Sequence, residues 1–364
     1  MLTESRSGTA RVLQILMSLL LCGDLAGCGV GYLAQATQGQ WQLMRSRRPI
    51  DHVIGDSTTE PQLRTRLELV LDAREFASVA LALPNNRSYR SYADLKRPYV
   101  VWNVVATPEF SIAPRRWCFP FTGCLSYRGY FHESAARAFA ARLASQGDDT
   151  LVAGVAAYST LGHFADPVLN TMMRYGDLEM VSTIFHELAH QVIYFKGETQ
   201  FNESFAVAVE QEGLKRWLAA RGRSAELAAY LQRREADREF TRVLADGRSR
   251  LGTLYGEPLS VEAMRARKRE LLAGLAEQVR ALEAQLGQRS AYEPWIAAGL
   301  NNAHLAAIAT YSDCVPGFQR LLAQQGGDLP AFYAAVRKLK RHRDARQALC
   351  RPSPAVATTA APTP

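Results

Sequence analysis

Residues 182–191 read Ser-Thr-Ile-Phe-His-Glu-Leu-Ala-His-Gln and contain the pattern H-E-x-x-H. His186 and His190 are four residues apart, so on a helix they project from one face, one turn apart. Two imidazoles placed in this way can both reach one tetrahedral Zn²⁺ at about 2.0–2.1 Å. Glu187 leans to the side of that face, where it reaches a water on the ion and not the ion itself. The pattern predicts a buried helix over residues 178–194 that carries a zinc site.

A third metal ligand is expected on the next helix. Gly197 stands where the motif helix should end, and a second helix begins near Asn202 and runs to Ala220. Twelve residues separate His190 from Glu203, which is enough to close one helix, turn and start an antiparallel one. Glu210 is the alternative: it could be a ligand, a partner that orients a histidine, or a solvated side chain. We prefer Glu203 as the third ligand.

The rest of the chain reads as mostly helical. Apolar residues recur at three- and four-residue steps from Pro61 to Leu83, which indicates an amphipathic helix, whereas residues 99–105 and 151–159 have the composition of strands. Two long charged segments, about 225–246 and 260–287, are expected to pack as an αα-hairpin, with a free-standing coiled coil as the alternative. The predicted fold class is α+β, mostly helical, with a small sheet beside the motif helix.

The N-terminus has the features of a bacterial lipoprotein signal. Arg6 and Arg11 precede a short apolar run, and Leu25-Ala26-Gly27-Cys28 follows it. The run is too short for a stable membrane span, and the tetrad resembles a lipobox, in which the cysteine is lipidated after cleavage. An ordinary secretory signal with a chance cysteine is the alternative. Gly29 in place of Asp points to the outer membrane, facing the periplasm.

These features divide the chain into four parts. Residues 1–27 are expected to be a signal peptide and 28–48 a tether and first helix. Residues 49–350 are expected to form the domain that carries the zinc site and the hairpin, and 351–364 a Pro/Ala/Thr tail too poor in apolar residues to build a core. The net charge is +8. Export argues against nucleic acid as a partner, so the charge is expected on a solvated surface or against anionic lipid head groups.

Four cysteines remain once Cys22, in the signal, and Cys28 are set aside. An even number in an oxidising compartment favours disulfides. Cys118 and Cys124 are close in sequence and are expected to close a small loop, which leaves Cys314 and Cys350 as the other pair. The sequence alone does not determine the pairing. A cysteine metal site, which needs closer C-x-x-C spacing, is the alternative.

The motif region resembles the gluzincin clan of zinc peptidases. Asn202-Glu203-Ser204-Phe205-Ala206 is similar to the N-E-G-F-A of aminopeptidase-N-like enzymes, but the spacing from the second histidine is shorter than in those enzymes, and their G-x-M-E-N signature is not found. The shorter spacing leaves the third ligand open. The mature chain, roughly 28–345, also resembles a family of bacterial aminopeptidases, many of them lipoproteins. The segments that carry this resemblance are 102–106, 117–120 with 123–124, 127–131, 157–162 and 186–206.

The resemblance implies a zinc-dependent peptidase, expected to be an aminopeptidase, that hydrolyses peptides by metal-activated water with Glu187 as general base. Tyr311 is the preferred donor to the oxyanion, with Tyr158 and His304 as alternatives. Residues 154–159 could form an edge strand that pairs with an extended substrate, or an internal strand. Other functions left open are an endopeptidase, a hydrolase of non-peptide substrates, and an inactive lipoprotein with a structural or binding role. The oligomeric state is not predicted.

Overall fold

A computed structural model describes residues 31–119, 123–157, 159–308 and 314–350 of the chain. The predicted signal peptide, Cys28, Tyr158, Tyr311 and the tail 351–364 lie outside these residues. The predicted α+β, mostly helical class is confirmed. None of the helices within the described residues is both long and apolar enough to cross a membrane.

The elements follow one another along the chain with short connections. The helices are α1 (31–45), α2 (Ile50–Gly55), α3 (Pro61–Val79), α4 (Glu133–Ser145), α5 (Asp177–Val192), α6 (Thr199–Ala219), α7 (Ser224–Leu254), α8 (Val261–Leu286), α9 (Glu293–Ala298), α10 (Asn302–Ile308), α11 (Val315–Gln324), α12 (Leu329–Lys338) and α13 (Arg343–Leu349). The strands are β1 (Arg47–Pro49), β2 (Ser91–Ala93), β3 (Val101–Pro108), β4 (Trp117–Phe119), β5 (Gly123–Leu125), β6 (Arg128–Tyr130), β7 (Asp148–Val155) and β8 (Val168–Leu169). Short 3₁₀ turns cover Met172–Arg174 and Leu339–Arg341.

The described strands form three small sheets. In the first, β2 pairs antiparallel with β1 and parallel with β8. In the second, β3 lies between β6 and β7 and is antiparallel to both. β4 and β5 form a hairpin, across which Cys118 and Cys124 are bonded with an S–S distance of 1.96 Å. The second disulfide joins Cys314 to Cys350.

The motif helix α5 lies in the main core. Asp177 and Glu179 in its first turn complement the positive end of the helix dipole. Phe185 of α5 and Phe205 and Trp217 of α6 are fully buried in the same cluster, which also contains residues of the first sheet. Burial on nearly every side explains why the motif helix is rich in apolar residues, and it keeps the two histidines on a rigid element.

α7 and α8 form the long αα-hairpin and build a second core of their own. Phe240 and Leu244 of α7 and Leu275 and Val279 of α8 are buried there. Gly247 lets the two helices approach closely, because a Cβ at this position would lie 2.4 Å from Leu275 Cδ2. The hairpin also packs on α6 and α10, so the free-standing coiled coil is wrong.

α1 is packed against the second sheet. Gln35 Nε2 donates to the Gly129 carbonyl at 3.4 Å, and the Phe131 N–H donates to Gln35 Oε1 at 3.2 Å. Gly39 lies directly against the Phe131 ring. The segment predicted as a tether and first helix is therefore helical and attached to the domain from residue 31 onward.

Candidate metal centre

α5 and α6 bring three side chains to one point. His186 Nε2 lies 3.2 Å from His190 Nε2 and 3.3 Å from Glu203 Oε2, and His190 Nε2 lies 3.7 Å from the same carboxylate oxygen. A tetrahedral zinc with bonds of 2.0–2.1 Å requires its ligand atoms to be about 3.3–3.4 Å apart. The three atoms are thus spaced as ligands of one such ion, and among the described residues they form a group able to hold a metal.

Asn202 fixes the turn that presents Glu203. Its fully buried side-chain amide accepts a hydrogen bond from the Phe195 N–H and donates one to the Phe195 carbonyl, both at 2.8 Å. These two bonds pin the first turn of α6 to the connection that follows α5. Glu203, the next residue, then lies beside the two histidines.

Glu210 occupies the other side of His186. Its Oε2 lies 3.0 Å from His186 Nδ1, while its Oε1 accepts a hydrogen bond from the Tyr230 hydroxyl at 2.8 Å and lies 3.6 Å from a guanidinium nitrogen of Arg234. This contact assigns the His186 proton to Nδ1 and leaves the Nε2 lone pair for a metal. Glu210 is placed to orient a ligand, whereas Glu203 is placed to be one.

The carboxylates around His186 stabilise a positive charge on its ring. Burial would lower the pKa of His186, but hydrogen bonds to the Glu203 and Glu210 carboxylates outweigh burial and raise this pKa to about 10. Burial would raise the pKa of Glu203, but its contacts with His186 and His190 lower it to about 2. A divalent ion bound here would take the place of the imidazole proton.

A cavity of about 440 Å³ opens beside this group. It lies between one face of α5 and one face of α7, because its lining residues recur at helical spacing on both. α5 contributes Glu179, Thr183 and Glu187, and α7 contributes Tyr230, Arg234 and Asp237. Within the described part of the chain, the Glu187 carboxylate makes no hydrogen bond or ion pair. Glu187, next to the two histidines, therefore presents a carboxylate without a hydrogen bond to a polar cavity.

The model of a protein family, Aminopep, described as "Putative aminopeptidase", matches residues 31–349 of the chain. The chain belongs to this family. Neither the curated proteins nor the solved structures contain a match to it. The matched region contains the motif helix, α6 and the helical hairpin, so the whole candidate site lies within the part that defines the Aminopep family. Membership indicates peptidase activity.

Of the three predicted oxyanion donors, His304 alone lies within the residues that the structure of this Aminopep family member describes. His304 lies 2.7 Å from Asn301 Oδ1 through its Nδ1 and packs on the Trp295 ring. It therefore belongs to the region where α10 meets the second sheet, and it makes none of the contacts described above for the metal group. Tyr311 and Tyr158 lie outside the described residues.

The predicted edge strand corresponds to β7. Gly154 pairs with Trp102 of β3, and within the described residues β7 is an outer strand of its sheet. The chain after β7 runs to α5, where a Cβ at Gly162 would lie 3.1 Å from Gln191 Oε1.

Two residues near the site were missed by sequence reasoning. Tyr230 and Arg234 come from α7 and contact Glu210. No local pattern marks either of them, because each reaches the site only through tertiary packing.

Proposed function

We propose that this Aminopep family member is a zinc-dependent aminopeptidase. The observation that carries the proposal is the spacing of His186 Nε2, His190 Nε2 and Glu203 Oε2, which fits the edges of a tetrahedron around one ion. Two neutral imidazoles and one carboxylate are a donor set that suits Zn²⁺ and leaves one position open, as in catalytic zinc sites. Glu187, adjacent in sequence and unpaired among the described residues, supplies the base.

Each residue of the site has a separate task in this proposal. His186, His190 and Glu203 would hold the Zn²⁺, which would supply Lewis acidity to polarise the scissile carbonyl and to lower the pKa of water to about 7. Glu187 takes the proton from the attacking water and passes it to the leaving amine. Glu210 keeps the His186 ring in the orientation that directs Nε2 at the ion.

The charge of the cavity favours a substrate with a free amino end. Four carboxylates line the cavity, those of Glu179, Glu187, Glu210 and Asp237, against the two guanidinium groups of Arg233 and Arg234, and Glu179 pairs with Arg233 at 3.3 Å. An ammonium group next to the scissile bond would be attracted by these carboxylates. This charge supports exopeptidase over endopeptidase activity and accords with the family name.

We also propose that the chain is exported and anchored through a lipid on Cys28, facing the periplasm at the outer membrane. The lipobox-like tetrad 25–28 supports the anchor. The two disulfides support export, because such bonds persist in oxidising compartments.

The test compares peptides that have free or acetylated N-termini. We expect zinc-loaded wild-type protein to release the first residue of free peptides and to leave acetylated ones intact. Glu187→Gln should abolish turnover while zinc content, measured by elemental analysis, stays at one ion. Glu277→Gln, an exposed position on α8, is the matched control and should retain full activity. Cleavage at internal bonds of acetylated peptides would establish an endopeptidase, and a Glu187→Gln variant with normal turnover would exclude the proposed base.

A further inference from the structure

The buried carboxylate of Glu210 has a separate partner at each of its oxygens. The residue is 5% exposed. Its Oε2 lies 3.0 Å from His186 Nδ1, and its Oε1 accepts a hydrogen bond from the Tyr230 hydroxyl at 2.8 Å. A buried charge lowers stability unless it is hydrogen-bonded. The Tyr230 hydroxyl therefore satisfies the carboxylate oxygen opposite the one that faces the histidine.

Both groups at Oε1 come from one face of α7. Tyr230 and Arg234 are four residues apart, so they project from the same side of the helix, one turn from each other. A guanidinium nitrogen of Arg234 lies 3.6 Å from Oε1, which is too far for a hydrogen bond but close enough to stabilise the negative charge. Among the described residues, the Tyr230 hydroxyl is thus the hydrogen-bond donor that sets the direction of this oxygen.

The start of α7 is packed in the core of the site. Tyr230 is 3% exposed and lies in the same buried cluster as Phe185 of α5 and Phe205 of α6. Leu227, one turn earlier on α7, packs against this cluster. A ring in a close-packed core cannot turn away without displacing its neighbours. The hydroxyl therefore stays at Glu210.

The protons of these groups have one consistent arrangement when Nε2 of His186 is free to bind a metal. An ionised carboxylate only accepts hydrogen bonds, so the Tyr230 hydroxyl and His186 Nδ1 both donate to Glu210. A proton on Nδ1 leaves the lone pair on Nε2, the atom that lies 3.2 Å from His190 Nε2 and 3.3 Å from Glu203 Oε2. A chain of hydrogen bonds therefore joins the α7 hydroxyl to the ring that carries the proposed ligand atom.

We infer that Tyr230 is a positioning residue for the metal group: its hydroxyl holds the Glu210 carboxylate in the orientation that keeps the His186 proton on Nδ1 and directs Nε2 at the ion. The inference rests on the zinc site of the proposed function, but it does not depend on which substrate that site acts on. It makes the first turns of the helical hairpin part of the metal centre.

The test measures the zinc affinity of Tyr230→Phe in the full chain by competition with a fluorescent chelator. We expect the affinity to fall about tenfold, as the loss of a contact behind a metal ligand does. Tyr333→Phe is the matched control. Tyr333 is 2% exposed in the same cluster, but its hydroxyl donates to the Leu81 carbonyl at 2.9 Å, so its loss should lower Tm and leave zinc affinity unchanged. Folded Tyr230→Phe with wild-type zinc affinity would overturn the inference.

A second measurement separates positioning through Glu210 from a general loss of packing. In a Glu210→Ala background the hydroxyl has no carboxylate to orient, so adding Tyr230→Phe should change zinc affinity by less than about twofold, because the effects of residues that act through one another do not add. A further tenfold loss in that background would show that Tyr230 acts by another route and would refute the inference.

The outcomes also distinguish this inference from the proposed peptidase activity. A Tyr230→Phe variant that loses zinc affinity, in a protein whose zinc-loaded wild type cleaves no peptide, would uphold the role of Tyr230 while the peptidase function fails. An active zinc enzyme in which Tyr230→Phe binds the ion as tightly as the wild type would leave the function standing and overturn the inference alone.

Discussion

The His186 ring is held between two carboxylates that stand two turns apart on α6. Glu203 lies at its Nε2 and Glu210 at its Nδ1, at 3.3 and 3.0 Å. Nε2 can offer its lone pair to a metal when the ring proton is on Nδ1, and the Glu210 carboxylate accepts a hydrogen bond from that proton. Because both carboxylates lie on one rigid helix, the distance between Glu203 and Glu210 is fixed.

The two carboxylates are therefore expected to differ in their effect on zinc. Glu210→Gln should weaken zinc binding about 10- to 100-fold, as the loss of a ligand-orienting contact does, and Glu203→Gln should weaken it further because a ligand is removed. Glu212→Gln, which breaks an ion pair on the same helix with Lys215 and Arg216, is the control and should bind zinc normally. Competition with a fluorescent chelator measures all three. A larger loss for Glu210→Gln than for Glu203→Gln would reverse the assignment.

Spacing along two consecutive helices is what made part of the site predictable. His186, His190 and Glu203 were predicted as ligands, and the structure brings them together. Residues four apart lie about one turn apart on a helix, and the twelve residues between His190 and Glu203 are enough for the chain to reverse direction between α5 and α6. The position of Glu210 at Nδ1 was left open, since periodicity does not tell which side of a ring a carboxylate meets. Tyr230 was not predicted as part of the site, because long-range packing alone brings its hydroxyl to Glu210.

At the scale of elements, the helical hairpin shares with the core of the site only the start of α7, where Leu227 and Tyr230 pack. α7 presents Tyr230 and Arg234 to Glu210, while the apolar faces of α7 and α8 pack mainly on each other. Long periodic segments predicted these helices well. The sheets were harder: most strands are two or three residues long, too short for an alternating pattern, and the expected single small sheet corresponds to three in the described residues.

Separate cores should make hairpin packing and zinc binding independent. Leu275→Ala removes a side chain that is 1% exposed, so we expect it to lower the free energy of unfolding by about 2–5 kcal/mol. Zinc content of the folded protein should not change, because the ligands lie on α5 and α6, whose buried apolar residues belong to the other core. Leu286→Ala, 39% exposed on the same helix, is the control and should cost less than about 0.5 kcal/mol. Urea denaturation and metal analysis test both statements. Loss of zinc from folded Leu275→Ala would contradict the separation.

At the scale of the whole molecule, both ends of the domain are fastened. The disulfide Cys314–Cys350 holds α13 near the start of α11, and Phe318 of α11 packs on Phe201 and Phe205 of α6. At the other end, α1 is docked on the second sheet through Gln35. The match to the Aminopep family spans these same limits, residues 31–349.

The proposed lipid on Cys28 has a direct test. Cys28→Ala should release the protein from the membrane fraction of a bacterial host into the soluble fraction and remove it from the detergent phase on partition. Cys22→Ala, which changes the other cysteine of the N-terminal segment, should leave partition unchanged. A Cys28→Ala variant that remains in the detergent phase would rule out the anchor.

The docking of α1 limits how far the proposed enzyme could work from its membrane. Gly29 and Val30 lie in the sequence between Cys28 and residue 31, where the described part of α1 begins, and a chain of that length spans at most about 10 Å. A lipid at Cys28 would hold the domain within about one headgroup layer of the bilayer. The connection would be too short for the domain to extend across the periplasm. The substrates of the proposed enzyme would then be peptides that accumulate at the membrane surface.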